Sequence, residues 1–526
     1  MSADLPTVSS EPCARFPTFR KMYHWAFNWR TIGRVLVALA GLATLIGLFY
    51  AEENWRGKHA WLKYKHELEA KGEKLDFKDY IPAPVPDDQN FAMTPLLAPL
   101  FDFNPKPLKE GQSIWRDTNG YNRAISLFTE FSSIQPKLRY SAESHARMEM
   151  TDLAAWAEAF RAKTNAAAPN AQPSWTRAEA ASKVLQSLKK YDAVLDELRA
   201  ASQRPYARFN VRYDDEFAPS ILLPHLAVLK NAALIFQLRA SAELALDHTD
   251  KAWSDTKLAL YLADAVKDEP FLISELLRTA LVQIALRPLW EGLALHKWSD
   301  AQLSEIQDRL RQVKLLTDWG MRGERAMDIL TVDQLLALGD TRMLGNVLDS
   351  PAYPYNLMPS GWFYQNEIVV VHLYQDFILP SFDVSNQRIY ASSAITNDAL
   401  VNKALSSGFL PFTIFAKLLV PSLTSCGAKL AAGQTRVNEA IVACALERYR
   451  LSQRHYPESL VELSPRFLEK APHDVITGEP LMYRRADNGQ FILYSVGWPV
   501  GTTKVGRFDF GSEVLQGAWV WQYPEK

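Results

Sequence analysis

Ten histidines and three cysteines are spread over 526 residues, and their spacing decides which chemistries a local motif could support. A zinc protease needs two histidines one helical turn apart with a glutamate beside the first, so that both imidazoles and the base meet at the metal; the chain has no H-E-x-x-H. It also lacks a C-x-x-C pair, a G-x-S-x-G nucleophile elbow and a Gly-rich phosphate loop. Weaker sets remain. His59 and His66 share one helical face and His145 precedes Glu149 by one turn, so each set could supply two metal ligands or simply a solvated helix surface. Arg322, Glu324 and Arg325 could form an ion-pair knot or receive an acidic ligand, because guanidinium forks pair with carboxylates. Asp214, Asp215 and Glu216 could draw a cation or a basic partner, but consecutive residues do not converge on a helix and a solvated loop is the default. No catalytic, cofactor-binding or metal-ligating residue is assigned on these grounds, and the expectation is a protein without enzymatic activity.

The elements that would position any site begin with Val35 to Ala51, a run without charge between Arg30 and Arg34 on one side and Glu52, Glu53 and Arg56 on the other. It is just long enough to cross a bilayer core, and it ends Leu48-Phe49-Tyr50-Ala51, bulky where a cleavage site wants small residues. An uncleaved signal-anchor is expected, making membrane lipid the first partner. The basic residues before the run slightly favour a cytoplasmic N-terminus, and Trp25, Phe27, Trp29, Tyr50 and Trp55 suit the two aromatic belts. The net charge of −1, without a basic tract, argues against nucleic acid. Cys426 and Cys444 would lie about 27 Å apart on one helix, too far to bridge.

Beyond the span, Trp55 to Lys71 has helical spacing and Gly72 is a natural stop. Seven prolines between Pro82 and Pro107 favour an extended segment, draped over the body by Phe91, Met93, Leu96, Leu97, Leu100 and Phe101. From Ser141 to Leu348 apolar residues recur at three and four, predicting an antiparallel helical array over 150–163, 177–200, 225–246, 250–266, 269–295 and 300–316. Capping boxes are expected at Thr176 with Glu179 and at Ser299 with Gln302. Short buried helices are expected over 367–379 and 410–419. The pair that places Ala240, Ala252 and Ala259 at close-packed positions resembles a tetratricopeptide unit, and a generic alanine-rich hairpin fits it as well.

The C-terminal region changes period: a helix over 435–453, strands over 481–485 and 491–496 joined through Asn488-Gly489, and a third strand within 514–521. The order Ala445-Leu446-Glu447-Arg448-Tyr449, Tyr456-Pro457-Glu458-Ser459-Leu460, Pro472-His473-Asp474, Thr477-Gly478-Glu479-Pro480-Leu481 and Leu493-Tyr494-Ser495-Val496-Gly497 resembles the globular part of type II secretion pseudopilins. The resemblance implies a helix packed on a small sheet. That family's calcium loop does not carry over, since Trp498 to Lys504 has no carboxylate, and neither does its acidic residue inside the apolar helix. Asn90-Phe91-Ala92-Met93-Thr94-Pro95 and Met321-Arg322-Gly323-Glu324-Arg325, with this module, resemble uncharacterised bacterial membrane-anchored proteins.

The expected fold is therefore mainly α, with an N-terminal transmembrane helix, a helical-array domain and a small C-terminal α+β module with an antiparallel sheet. The divisions are a cytoplasmic tail (1–34), a transmembrane anchor (35–51), a juxtamembrane helix and Pro-rich extended segment (52–135), the helical array (136–421) and the pseudopilin-like module (422–526). The expected role is a protein-interaction scaffold or adaptor on the extracytoplasmic side of a bacterial inner membrane, with protein partners and without a cofactor. An accessory subunit of a secretion or pilus-like machine and an envelope hydrolase are the alternatives.

Overall fold

Residues Trp29–Glu69 form one unbroken helix, α1, of 41 residues, about 60 Å long at 1.5 Å per residue. The helix expected over 55–71 thus continues the apolar run without a joint. The structure, a computed structural model, describes residues 29–104, 113–134, 136, 149–164, 175–213, 217–338, 357–407, 410–420, 423–486, 488–499 and 518–523. Two helices among them are long and apolar enough to cross a membrane, and their surroundings separate them. Along the uncharged run of α1 the apolar side chains are largely bare: Val37 is 74% exposed, Leu45 66% and Leu48 62%. The second, within 218–245, is largely buried in the body.

After α1 the Pro-rich segment wraps the body through short 3₁₀ turns, and Phe91, Leu96, Leu97 and Leu100 are fully buried as its periodicity implies. Asn90 pins it. Its side chain accepts from the Ala92 and Arg208 backbone N–H groups and donates to the Arg208 carbonyl.

The array comprises α2 (Thr118–Ile134), α3 (Leu153–Thr164), α4 (Arg177–Leu188), α5 (Asp192–Ala201), α6 (Pro224–Ala245), α7 (Thr249–Asp264), α8 (Leu272–Ala294), α9 (Asp300–Arg311) and α10 (Trp319–Leu338). Both capping boxes are present. The stretch over 177–200, expected as one helix, is split by a 3₁₀ turn at Lys189–Tyr191. Helices α6 and α8 are apolar on most of their circumference because they are packed on several sides, α6 against α4, α7 and α8. Ala240, Ala252 and Ala259 are all fully buried in this packing.

Next come α11 (Ser360–His372), a π-helical turn (Leu373–Ile378), a ribbon of β1 (Phe382–Asp383) and β2 (Arg388–Ile389), then α12 (Ala391–Ser407), α13 (Leu410–Leu419) and α14 (Leu423–Gln453). The sequence pattern starts the last helix at 435; the structure starts it twelve residues earlier, carrying Gly427 and Gly433 inside. At Gly433 a side chain would strike Thr279, so glycine there permits close approach to α8. Cys426 and Cys444 lie on this one helix, both free and buried.

The C-terminal sheet is antiparallel, ordered β3 (Met482–Arg485), β4 (Phe491–Ser495), β5 (Trp519–Trp521). Arg485 pairs with Phe491 and Leu493 with Trp521. Gly489 supplies the positive φ of 79° that the hairpin needs. Phe491, Leu493 and Ser495 are buried, and α14 packs on β4 and β5. The same contiguous core holds Leu286 of α8, Leu446 of α14 and Trp521 of β5. The chain is mainly α with an N-terminal apolar helix and a small C-terminal antiparallel sheet.

Candidate functional site

The body meets α1 where the uncharged run ends. Tyr50 donates to the Leu357 carbonyl at 2.5 Å, the Trp362 indole N–H donates to Glu53 at 2.9 Å, and the Gly361 N–H donates to the Asn54 side chain at 3.0 Å. Two glycines allow this approach: a Cβ on Gly57 would overlap the Gly361 backbone, and one on Gly361 would overlap the Glu53 carbonyl. Further along, Tyr64 stacks on His372 with ring centroids 4.6 Å apart, so α11 runs parallel to α1 and its N-terminal end lies nearest the apolar half. Trp61, Leu68, Leu75, Ile329 and Val371 bury a separate small core under this junction.

A knot of ions lies behind it. Glu73, just past α1, receives Arg322 and, at 3.0 Å, Arg325; Arg322 also pairs with Asp318. Burial raises the cost of the Glu73 charge, yet the two guanidinium groups outweigh it and hold its carboxyl below the usual range. Arg325 is fully buried and donates to the Lys74 carbonyl as well, so every group fixes the turn after α1 against α10. The Arg322, Glu324 and Arg325 set of the sequence is thereby divided. The arginines make the structural knot, whereas Glu324 turns to α8 and accepts the Leu272 N–H at 3.1 Å.

Glu324 belongs to a different group, which only the fold assembles. It stands one turn before Asp328 on α10; Asp328 accepts from the Tyr374 hydroxyl at 3.0 Å, and Tyr374 sits in the π-helical turn. Single π-helical turns often accompany functional sites. Glu275 lies close enough to Cys426 to act on it, as Glu324 does, and accepts from the Thr317 hydroxyl. Burial pushes Glu275 up to about 7, and it does the same to Glu324 against the Leu272 hydrogen bond. Burial, followed by the Glu324 charge, raises Asp328 well above its ordinary range. Asp328 and Tyr374 are sealed, but Glu324, deep in the packing, keeps partial solvent access. Toward the junction, burial and then Asp333 raise Glu367 in the same way. A carboxyl near 7 with access to solvent can give or take a proton at neutral pH.

The remaining sequence candidates fall elsewhere. His59 stacks on Trp55 at 5.4 Å and is exposed, as is His66, so that pair is helix surface. His145, the 214–216 acidic cluster, Cys13 and residues 500–517 lie outside the described residues. Among the described residues no three His, Cys, Asp or Glu side chains converge as a metal-holding group. A buried pair the sequence did not suggest is His225 with Glu269, 2.6 Å apart, with Ser274 donating to the second Glu269 oxygen; His225 stacks on Phe209. It is closed off from solvent, so it is core. Comparison with protein families, with curated proteins and with solved structures finds no match to this chain.

Proposed function

We propose that this chain is a single-pass bacterial membrane protein whose extracytoplasmic body works as a protein-interaction scaffold or adaptor at the cell envelope. The observation that carries the reading is α1: one half is apolar and bare, the other is bolted to α11, with no break between them. An apolar helix with no protein around it needs lipid to cover it. A helix so fixed holds the body at one height and one tilt over the bilayer, which suits a surface that must be presented to partners. Stacked helix pairs such as those of the array offer extended faces for other polypeptides.

Crosslinking in intact membranes, followed by capture and identification, tests this. The scaffold reading predicts the same partner crosslinked reproducibly to body residues; repeated recovery of an unpartnered monomer contradicts it. Recovery of secretion-machine subunits would favour the accessory-subunit reading, which the C-terminal resemblance and the packing of α14 on the small sheet support. The Glu324 and Asp328 group favours a third reading, an envelope hydrolase. Glu324→Gln leaves partner crosslinks unchanged if the protein is a scaffold, and abolishes turnover if it is a hydrolase.

A further inference from the structure

We infer that the body also rests on the membrane, through an apolar face formed by Leu357, Trp362 and Phe412 around the foot of α1. This inference rests on α1 being the membrane span. The depth of the face follows from its contacts. Phe49 and Tyr50 are among the last residues of the uncharged run, and Glu52 and Glu53 open the polar part. The Trp362 ring lies 6.3 Å from the Phe49 ring, edge-on, and the Leu357 carbonyl takes the Tyr50 hydroxyl, so both belong at the level where the span leaves the hydrocarbon. Phe412, at the start of α13, extends the face: its ring stands 6.0 Å from Trp362, and Asn366 holds this end of α13 by donating to the Pro411 carbonyl and accepting the Phe415 N–H.

Protein covers this face only in part. Leu357 is 69% exposed and Phe49 47%, while Trp362 and Phe412 are half-buried. Exposed leucine and phenylalanine cost free energy in water and gain it in the acyl boundary, and an indole whose N–H is already satisfied, here by Glu53, is suited to the interface. The occupant is the bilayer because the face is continuous with the helix that enters it. Rigid docking of α1 on α11 means that the span cannot insert without bringing this face to the headgroup region.

Spin labels report the depth. The full chain, with Cys13→Ser to remove a competing thiol and Cys426 and Cys444 left in place as buried groups, is reconstituted in nanodiscs of phosphatidylcholine and phosphatidylglycerol. Labels are placed one at a time at Leu357→Cys, Phe412→Cys, Leu42→Cys in the span and Val461→Cys, which is 80% exposed on the C-terminal module. The expected ratio of oxygen to nickel-chelate collision is severalfold higher at 357 and 412 than at 461, and highest at 42. A lipid-like ratio at 42 with a water-like ratio at 357 would overturn this inference and leave the span intact; a water-like ratio at 42 would overturn both. If Phe412→Cys fails to fold, Leu357→Cys carries the test alone, since its side chain packs on little.

Discussion

Raising the pH from 5 to 8 is expected to destabilise the folded body by at least about 5 kcal/mol, the reverse of the usual gain for carboxylates engaged in ion pairs. Glu275 and Glu439 supply that minimum, and the raised carboxyls of Glu324, Asp328 and Glu367 act in the same direction. Glu275 is held near 7 by burial against the opposing Thr317 hydroxyl, and the fully buried Glu439 is raised to about 7 by burial that outweighs its Arg436 partner. In the unfolded chain both would titrate near 4.5. Between these values the folded state binds more protons than the unfolded state, so stability is fully present below about 4.5 and falls as pH rises to about 7, by about 2.5 kcal/mol for each group over this interval. Glu447 acts oppositely: burial resists its ionisation, but hydrogen bonds from His296 and Arg450 hold it down at about 2, so its contribution is lost only as pH falls from about 4.5 toward 2. Guanidinium unfolding of the detergent-solubilised chain at pH 5 and pH 8 measures the difference. Glu439→Gln, which keeps an acceptor for Arg436, should remove about 2.5 kcal/mol of this loss. Stability that is level or rising from pH 5 to 8 would show that these carboxyls are solvated.

Gly361→Leu is expected to cost about 3 kcal/mol, at the upper end of overpacking penalties, because the atoms its side chain would strike are backbone and cannot rotate away. The obstacles are the Glu53 carbonyl and the Asn54 Cα of α1. Leucine at Gly57 meets the Gly361 backbone and should cost as much. Gly41→Leu is the internal control: it lies on the same helix, but nothing approaches within 4 Å. Chemical unfolding gives the energies, and protease nicking after Ala51 reports whether α1 has come away from α11. Equal stability of the Gly361 and Gly41 variants would mean that the two helices do not cross as closely as described.

Much of the framework is legible in the residues. Thr176 with Glu179 and Ser299 with Gln302 announce helix starts because each cap is completed within four residues. Asn488-Gly489 marks the hairpin for the same local reason. Phe91, Leu96, Leu97 and Leu100 mark the Pro-rich segment as a strap, since a free linker would not carry them. The early start of α14 is hidden by Gly427 and Gly433, which look like breakers until the close neighbours at each are known. The π-helical turn has no period of its own in the sequence. Least legible is the site. Glu73 lies 249 residues from Arg322, and the one-turn spacing of Glu324 and Asp328 is visible, but a carboxyl pair on a helix is ordinarily solvated; their partners, the Leu272 N–H at the start of α8 and the Tyr374 hydroxyl, come from distant parts of the chain.

The central claim, that α1 is a membrane anchor continuous with a folded body, is tested most directly by alkaline carbonate extraction of membranes from cells producing the full chain. Its companion is a variant carrying Leu39→Lys, Leu42→Lys and Leu45→Lys, all at bare positions of α1. The full chain should remain in the membrane pellet, and the variant should appear in the soluble fraction. Release of the unaltered chain by carbonate would contradict the anchor, and with it the scaffold held at the membrane surface.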